Sequence, residues 1–94
     1  MGREQIEIEV TNEHGLHARP AALFVQTAAR FRSSVTLRNL SKGGGRTANA
    51  KSIMDVLTAG VDRGSRIEVT AEGEDAQEAV RALHDLVERD LNAS

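Results

Sequence analysis

The chain has 94 residues, with 12 Lys and Arg against 14 Asp and Glu, a net charge of −2, and 39% hydrophobic residues. That length predicts one domain over residues 1–94, large enough to bury its own core, and the charge leaves no broad basic field for nucleic acid. There is no cysteine, so disulfides, thiolate catalysis and iron–sulfur ligation are excluded, and a reducing cytoplasm is the expected compartment.

The opening MGREQIEIEV alternates charged and apolar residues and lacks the continuous apolar stretch of a signal peptide. Ile6 stands where a myristoylation motif needs Ser or Thr. No run approaches the ~20 apolar residues of a membrane span, so no membrane insertion is expected. Ile6, Ile8 and Val10 alternate with Glu7, Glu9 and Thr11, which predicts a strand covered on one side only. Asn12, His14 and Gly15 signal a turn. Ala18 to Phe31, rich in Ala, Leu, Phe and Val, reads as a helix, and Ser33 and Ser34 end the pattern. Val35 and Leu37 predict a second strand. Asn39 to Gly45 reads as a loop whose consecutive glycines, Gly43, Gly44 and Gly45, favour mobility. Arg46 to Asn49 reads as a short third strand. Ser52 to Ala59 reads as a short helix capped by Ser52 and closed by Gly60. Ile67, Val69 and Ala71 predict the fourth strand. Asp75 is placed to cap a last helix, in which Ala76, Ala79, Val80, Leu83, Leu86, Val87 and Leu91 recur at three- and four-residue steps, ending near Asp90.

The order is β-α-β-β-α-β-α. One-sided strands need a cover, so the expected fold is an α+β open-faced sandwich: a mostly antiparallel four-stranded sheet with three helices on one face. An RNA-recognition domain has a related order but stacks bases on strand aromatics. The only aromatics here, Phe24 and Phe31, both fall in the first helix, so nucleic acid is not an expected partner. A small-ligand regulatory domain of similar order remains open at this point.

The stretch NEHGLHARPAAL holds two of the three histidines and the only proline. His17 falls at the start of the first helix, where backbone N–H groups lack intrahelical acceptors and favour an anion. The same donors disfavour a charged imidazolium, and a neutral ring nitrogen is a nucleophile. Arg19 adds a permanent cation with a planar fork suited to phosphate, and Pro20 costs the first turn no needed hydrogen bond. Phosphoryl transfer asks mainly for positioning and charge stabilisation, which this grouping supplies. Either His17 is the N-cap, or Arg19 is, with Pro20 at the first helical position. Taken alone, His17 also reads as a turn residue with no chemistry. A metal on His14 and His17 would lack ligands, since His84 is distant in sequence and no cysteine exists; no metal site and no cofactor are expected.

GRTANAKS nearly spells a phosphate-binding loop, but Ala50 replaces the glycine before Lys51, and the match is read as chance. Ser52 needs no explanation beyond capping, yet a phosphate there would meet helix-end donors. Ile53, Met54 and Leu57 fall on one stripe, where core packing competes with a docking role. His84 reads as a solvated surface residue.

GLHARPAALFVQTAARF followed by NAKSIMDVLTAGVDRGSRIEVTAEGEDAQEAV resembles HPr, the histidine-containing phosphocarrier family of the bacterial sugar phosphotransferase system, from Ile6 to about Val87. The resemblance implies that the histidine of G-[IL]-H-[AT]-R-P-A, here His17, takes a phosphoryl group on Nδ1 from enzyme I and passes it to IIA domains of sugar permeases. It implies that Arg19 stabilises the phosphate. The serine of K-S-[IL]-[MF], here Ser52, is in many low-GC Gram-positive members the target of an HPr kinase/phosphorylase. Ile53, Met54 and Leu57, with Ala18 and Ala22, resemble the family's docking patch. A monomer is expected. Three departures stand out: His14 where a small polar residue is common, a longer loop over Asn39 to Arg46, and Asp55 where several kinase-regulated members carry glycine. The relative Crh lacks the active histidine, which this chain keeps. The nitrogen-system relative NPr keeps it too and is the alternative, together with a regulatory binding module governed by Ser52.

Overall fold

Alternation along the strands decides the layers. Ile67, Val69 and Ala71 are buried while Arg66 and Glu72, on the other face, are exposed, so one side of the sheet meets the core and the other meets water. A computed structural model describes residues 2–42 and 45–93. Its four strands are β1 (Gly2–Glu9), β2 (Ser34–Asn39), β3 (Ala48–Asn49) and β4 (Arg66–Gly73). They form one sheet in the order β1-β4-β2-β3, with every pairing antiparallel. The register sets Ile8 opposite Ile67 and Leu37 opposite Val69. On the open face, Arg66 meets Glu7 at 2.9 Å and Arg38 meets Glu68 at 3.4 Å. The first pair is exposed on both sides and Glu68 is half-buried; pairs so open to water mark register and contribute little stability.

The helices are α1 (Ala18–Ala29), α2 (Ile53–Thr58) and α3 (Ala76–Asp85). Phe24 of α1 and Leu83 of α3 are fully buried in one core with Val10, Leu16, Val61 and Val69. The short α2 has satisfied ends. Ser52 Oγ accepts the Asp55 N–H at 3.3 Å, as its N-cap position predicts. Gly60 (φ +63°) turns the chain out of the helix. The buried Asn39 donates through Nδ2 to the carbonyls of Ala59 and Gly60 at 3.1 and 3.2 Å.

Three details differ from the sequence reading. The third strand holds only Ala48 and Asn49, paired with Leu37 and Thr36. Asn49 N–H is drawn to the Asp55 carboxylate at 3.1 Å, so the chain turns into α2 almost at once. The last helix ends at Asp85, and a π-helical turn follows over Leu86–Leu91, in which Asn92 N–H donates to Val87 O at 2.7 Å. Leu86, Val87 and Leu91 stay buried through the wider turn, so apolar spacing alone did not separate the two helix types. Asp75 precedes α3 but makes no side-chain cap; its carboxylate accepts instead from Arg32 N, Ser33 N and Ser33 Oγ. Gly43 and Gly44 of the glycine loop lie outside the described residues; Gly45 N–H is bonded to Lys42 O at 3.0 Å.

Candidate functional site

The segment leaving β1 is built as a tight, internally bonded loop. Asn12 is buried, and its Nδ2 donates to Gly15 O at 3.0 Å while Gly15 N–H donates to Asn12 O at 3.2 Å. Gly15 has φ +57°, and a Cβ there would lie 2.1 Å from Val61 O and 2.8 Å from Asp62 Cα. Only glycine lets the two backbones approach this closely. Leu16 is fully buried, and its N–H donates to Val61 O at 2.9 Å. A buried plug therefore sits immediately before His17 and anchors the loop to the turn that follows α2.

His17 occupies the N-cap position of α1 with extended backbone (φ −114°, ψ 160°) and makes no side-chain cap. Of the two caps open from sequence, His17 takes the position, and Pro20 sits in the first turn. The His17 side chain is 43% exposed, and its Nε2 lies 2.8 Å from Asp62 Oδ1. Ala18 follows with φ +52°, a region that a residue with a Cβ rarely enters and that is held only when the surroundings over-determine it. Arg19 is exposed and has no hydrogen-bond or ion-pair partner among the described residues. The His17 ring, a helix start without a side-chain cap and a guanidinium without a partner among the described residues thus share one exposed mouth.

The other sequence candidates fall as follows. Ser52 is half-buried at the start of α2. Ile53, Met54 and Leu57 are 39, 67 and 36% exposed, so the stripe packs outward while Val56 takes the core position. Ala18 is exposed and Ala22 half-buried on α1, which packs against α2. His14 is exposed and accepts the His17 N–H through its backbone carbonyl at 3.2 Å. His84 is exposed, beside Asp85. Among the described residues, no three His, Cys, Asp or Glu side chains gather to hold a metal ion. Sequence reasoning missed Asp62 and Asn92. Asp62 lies in a turn 45 positions from His17, with no spacing signal to connect them. Asn92, past the last apolar residue of the helix, accepts the N–H groups of Thr11 and Asn12 at 2.9 and 3.2 Å and donates to Glu9 O at 2.9 Å.

Residues 4–89 match the family model described as the PTS HPr component phosphorylation site. The chain belongs to the HPr family. HPr-C-His from Thermoanaerobacter tengcongensis superposes with a TM-score of 0.86 at 43% identity, covering 97% of each chain. The phosphocarrier protein HPr from Bacillus anthracis gives 0.84 at 42% identity, covering 94% of this chain and all of that one. In sequence, the chain is 47% identical over 81 residues to the multiphosphoryl transfer protein of Salmonella typhimurium. That match covers 86% of this chain and 21% of the relative, so this HPr chain spans about a fifth of the length of the curated relatives it matches. The α+β fold with its four-stranded antiparallel sheet and three helices is the HPr fold. No described helix is long and apolar enough to cross a membrane.

Proposed function

We propose that this HPr chain is a phosphocarrier in which His17 accepts a phosphoryl group on Nδ1 from phospho-enzyme I and gives it up to IIA domains of sugar permeases. The observation that carries the reading is the His17 ring: exposed at the mouth of α1 and, among the described residues, engaged through Nε2 alone. The name of the multiphosphoryl transfer relatives and the phosphorylation site in the family description point the same way.

The chemistry follows from the placement. The Nδ1 electron pair forms the nitrogen–phosphorus bond as the donor's bond to phosphorus breaks. The incoming oxygens meet the free N–H groups of the first helical turn and the helix dipole, with Arg19 reaching the same charge as a planar donor. Because the chain brings only positioning and charge, the partner protein must supply the phosphoryl group and the second half of the site. Ile53, Met54 and Leu57, with Ala18 and Ala22, form the apolar face on which that partner docks. Ser52, at the edge of this face, is the candidate for a second, regulatory phosphorylation by an HPr kinase/phosphorylase.

The test is to mix the protein with enzyme I and labelled phosphoenolpyruvate. The parent acquires acid-labile label and His17→Ala acquires none. Label retained by the His17→Ala variant refutes the assignment.

A further inference from the structure

We infer that Asp62 is a positioning residue for His17. It holds the ring as the Nε2–H tautomer, so that Nδ1 presents its electron pair, and it balances the positive charge the ring gains when Nδ1 takes a phosphoryl group. This deepens the phosphocarrier reading and rests on it.

An ionised carboxylate only accepts hydrogen bonds, so at 2.8 Å from Asp62 Oδ1 the His17 Nε2 is the donor. A neutral imidazole carries one ring hydrogen, which leaves Nδ1 bare. The bond made by one ring nitrogen thus selects the role of the other. In the opposite tautomer the Nε2 electron pair would face the carboxylate and repel it.

The geometry is held from the backbone outward. Asp62 N–H donates to Ser65 Oγ at 3.1 Å, and Ser65 N–H returns to Asp62 O at 3.0 Å. Gly64 N–H donates to Val10 O at 2.7 Å and Val10 N–H to Ser65 O at 2.8 Å, which fixes this turn to the end of β1. One residue before each partner, Leu16 N–H and Val61 O are joined at 2.9 Å. The two side chains therefore project from a common frame and lose little freedom in meeting.

The step balances without a proton transfer. Nδ1 has no hydrogen to lose. Its electron pair becomes the bond to phosphorus, the donor's leaving atom keeps the pair of the broken bond, and the ring becomes cationic with Nε2–H intact beside a carboxylate that stays ionised. Onward transfer returns the pair to Nδ1. Asp62 is thus a counter-charge and an orienter, not a base. Both groups face water, at 43 and 67% side-chain exposure, which limits the effect to about fivefold in rate.

Nitrogen-15 spectra of ring-labelled histidine, taken on unphosphorylated parent, Asp62→Ala and Asp62→Glu, test the pairing independently of any transfer. The neutral His17 ring of the parent is held as Nε2–H, the alanine variant relaxes to the mixture of an unrestrained histidine, and the glutamate variant recovers the parent signature. Uptake of label from phospho-enzyme I falls about fivefold in Asp62→Ala. Identical ring signals and identical uptake in parent and Asp62→Ala overturn the inference while leaving the carrier reading intact. A parent that takes no label on His17 defeats the carrier reading, and with it the role of Asp62 in transfer.

Discussion

The Asp75 carboxylate grips Ser33 twice, through its backbone N–H and its hydroxyl, and also accepts the N–H of Arg32. These bonds join the turn after α1 to the start of α3. They favour the ionised carboxylate, the Ser33 hydroxyl foremost, and hold Asp75 at about 2, below the ordinary 3.8. A group depressed in the folded state stabilises above its unfolded value and loses that contribution as pH falls toward its folded one. The contribution of Asp75 is thus complete above about pH 4 and disappears between there and about pH 2. In urea denaturation at stepped pH, parent and Ser33→Ala differ most near pH 6, and the gap narrows as the pH is lowered to 2. A gap that stays constant across the range contradicts this account.

Gly15 answers to a different constraint. Its φ of +57° and the 2.1 Å approach of a built Cβ to Val61 O leave no room for a side chain. Gly15→Ala forces the loop away from the Val61–Asp62 backbone, breaking the Leu16–Val61 bond and with it the seating of His17. The expected loss is at least ~2 kcal/mol of stability, read as a lower thermal midpoint. Label uptake from phospho-enzyme I falls as well, because the proposed acceptor ring loses its seat. Wild-type stability in this variant counts against the packing argument.

Much of this architecture was legible because local signals agreed with one another. Period-two alternation at Ile6, Ile8 and Val10, the Ser52 cap and Gly60 each act within a few residues, and the structure keeps all three. The position of His17 and Arg19 at the start of α1 was legible for the same reason, since the two lie two residues apart beside Pro20. What escaped was non-local. Asp62 reaches His17 across 45 positions, and Asn92 reaches Asn12 across 80. Asp75 shows the limit of a local rule: it stands at the expected cap position, but three donors on Arg32 and Ser33, in the turn after α1, outcompete a single helix N–H. The outward packing of Ile53, Met54 and Leu57 was undecided in sequence because the same apolar stripe serves a core or a partner; tertiary placement resolves it toward solvent.

Asn92 makes the end of the π-helical turn part of the His17 loop. Its side-chain oxygen accepts from Thr11 and Asn12, and its amide donates to Glu9 O. Asn92→Ala leaves two donors and one acceptor to find new partners, a loss of ~1–3 kcal/mol. Hydrogen exchange at Thr11 and Asn12 accelerates more than at the β4 amides. Asn92→Asp keeps the acceptor but sets a carboxylate against the Glu9 carbonyl, and it restores protection only in part. Full protection in the alanine variant removes Asn92 from the loop's support.

Among the described residues, Met54 is the most exposed of the large apolar side chains, at 67%. A residue so exposed contributes little to folding, so Met54→Glu changes stability by no more than ~0.5 kcal/mol. Docking is a different matter, because a partner that covers an apolar face must desolvate whatever stands there. On the proposed docking face, the charge of Met54→Glu lowers affinity for phospho-enzyme I about tenfold or more, and added salt does not restore it, since the loss is desolvation rather than long-range repulsion. Ser52→Asp brings charge to the edge of the same face, where water still reaches it. Its effect is smaller, and it responds to salt if the partner surface there is charged. Titration calorimetry of the two variants at low and high ionic strength separates the cases. Parent-like affinity in Met54→Glu places the partner on another face of the molecule, and the α1–α2 surface then loses its docking role.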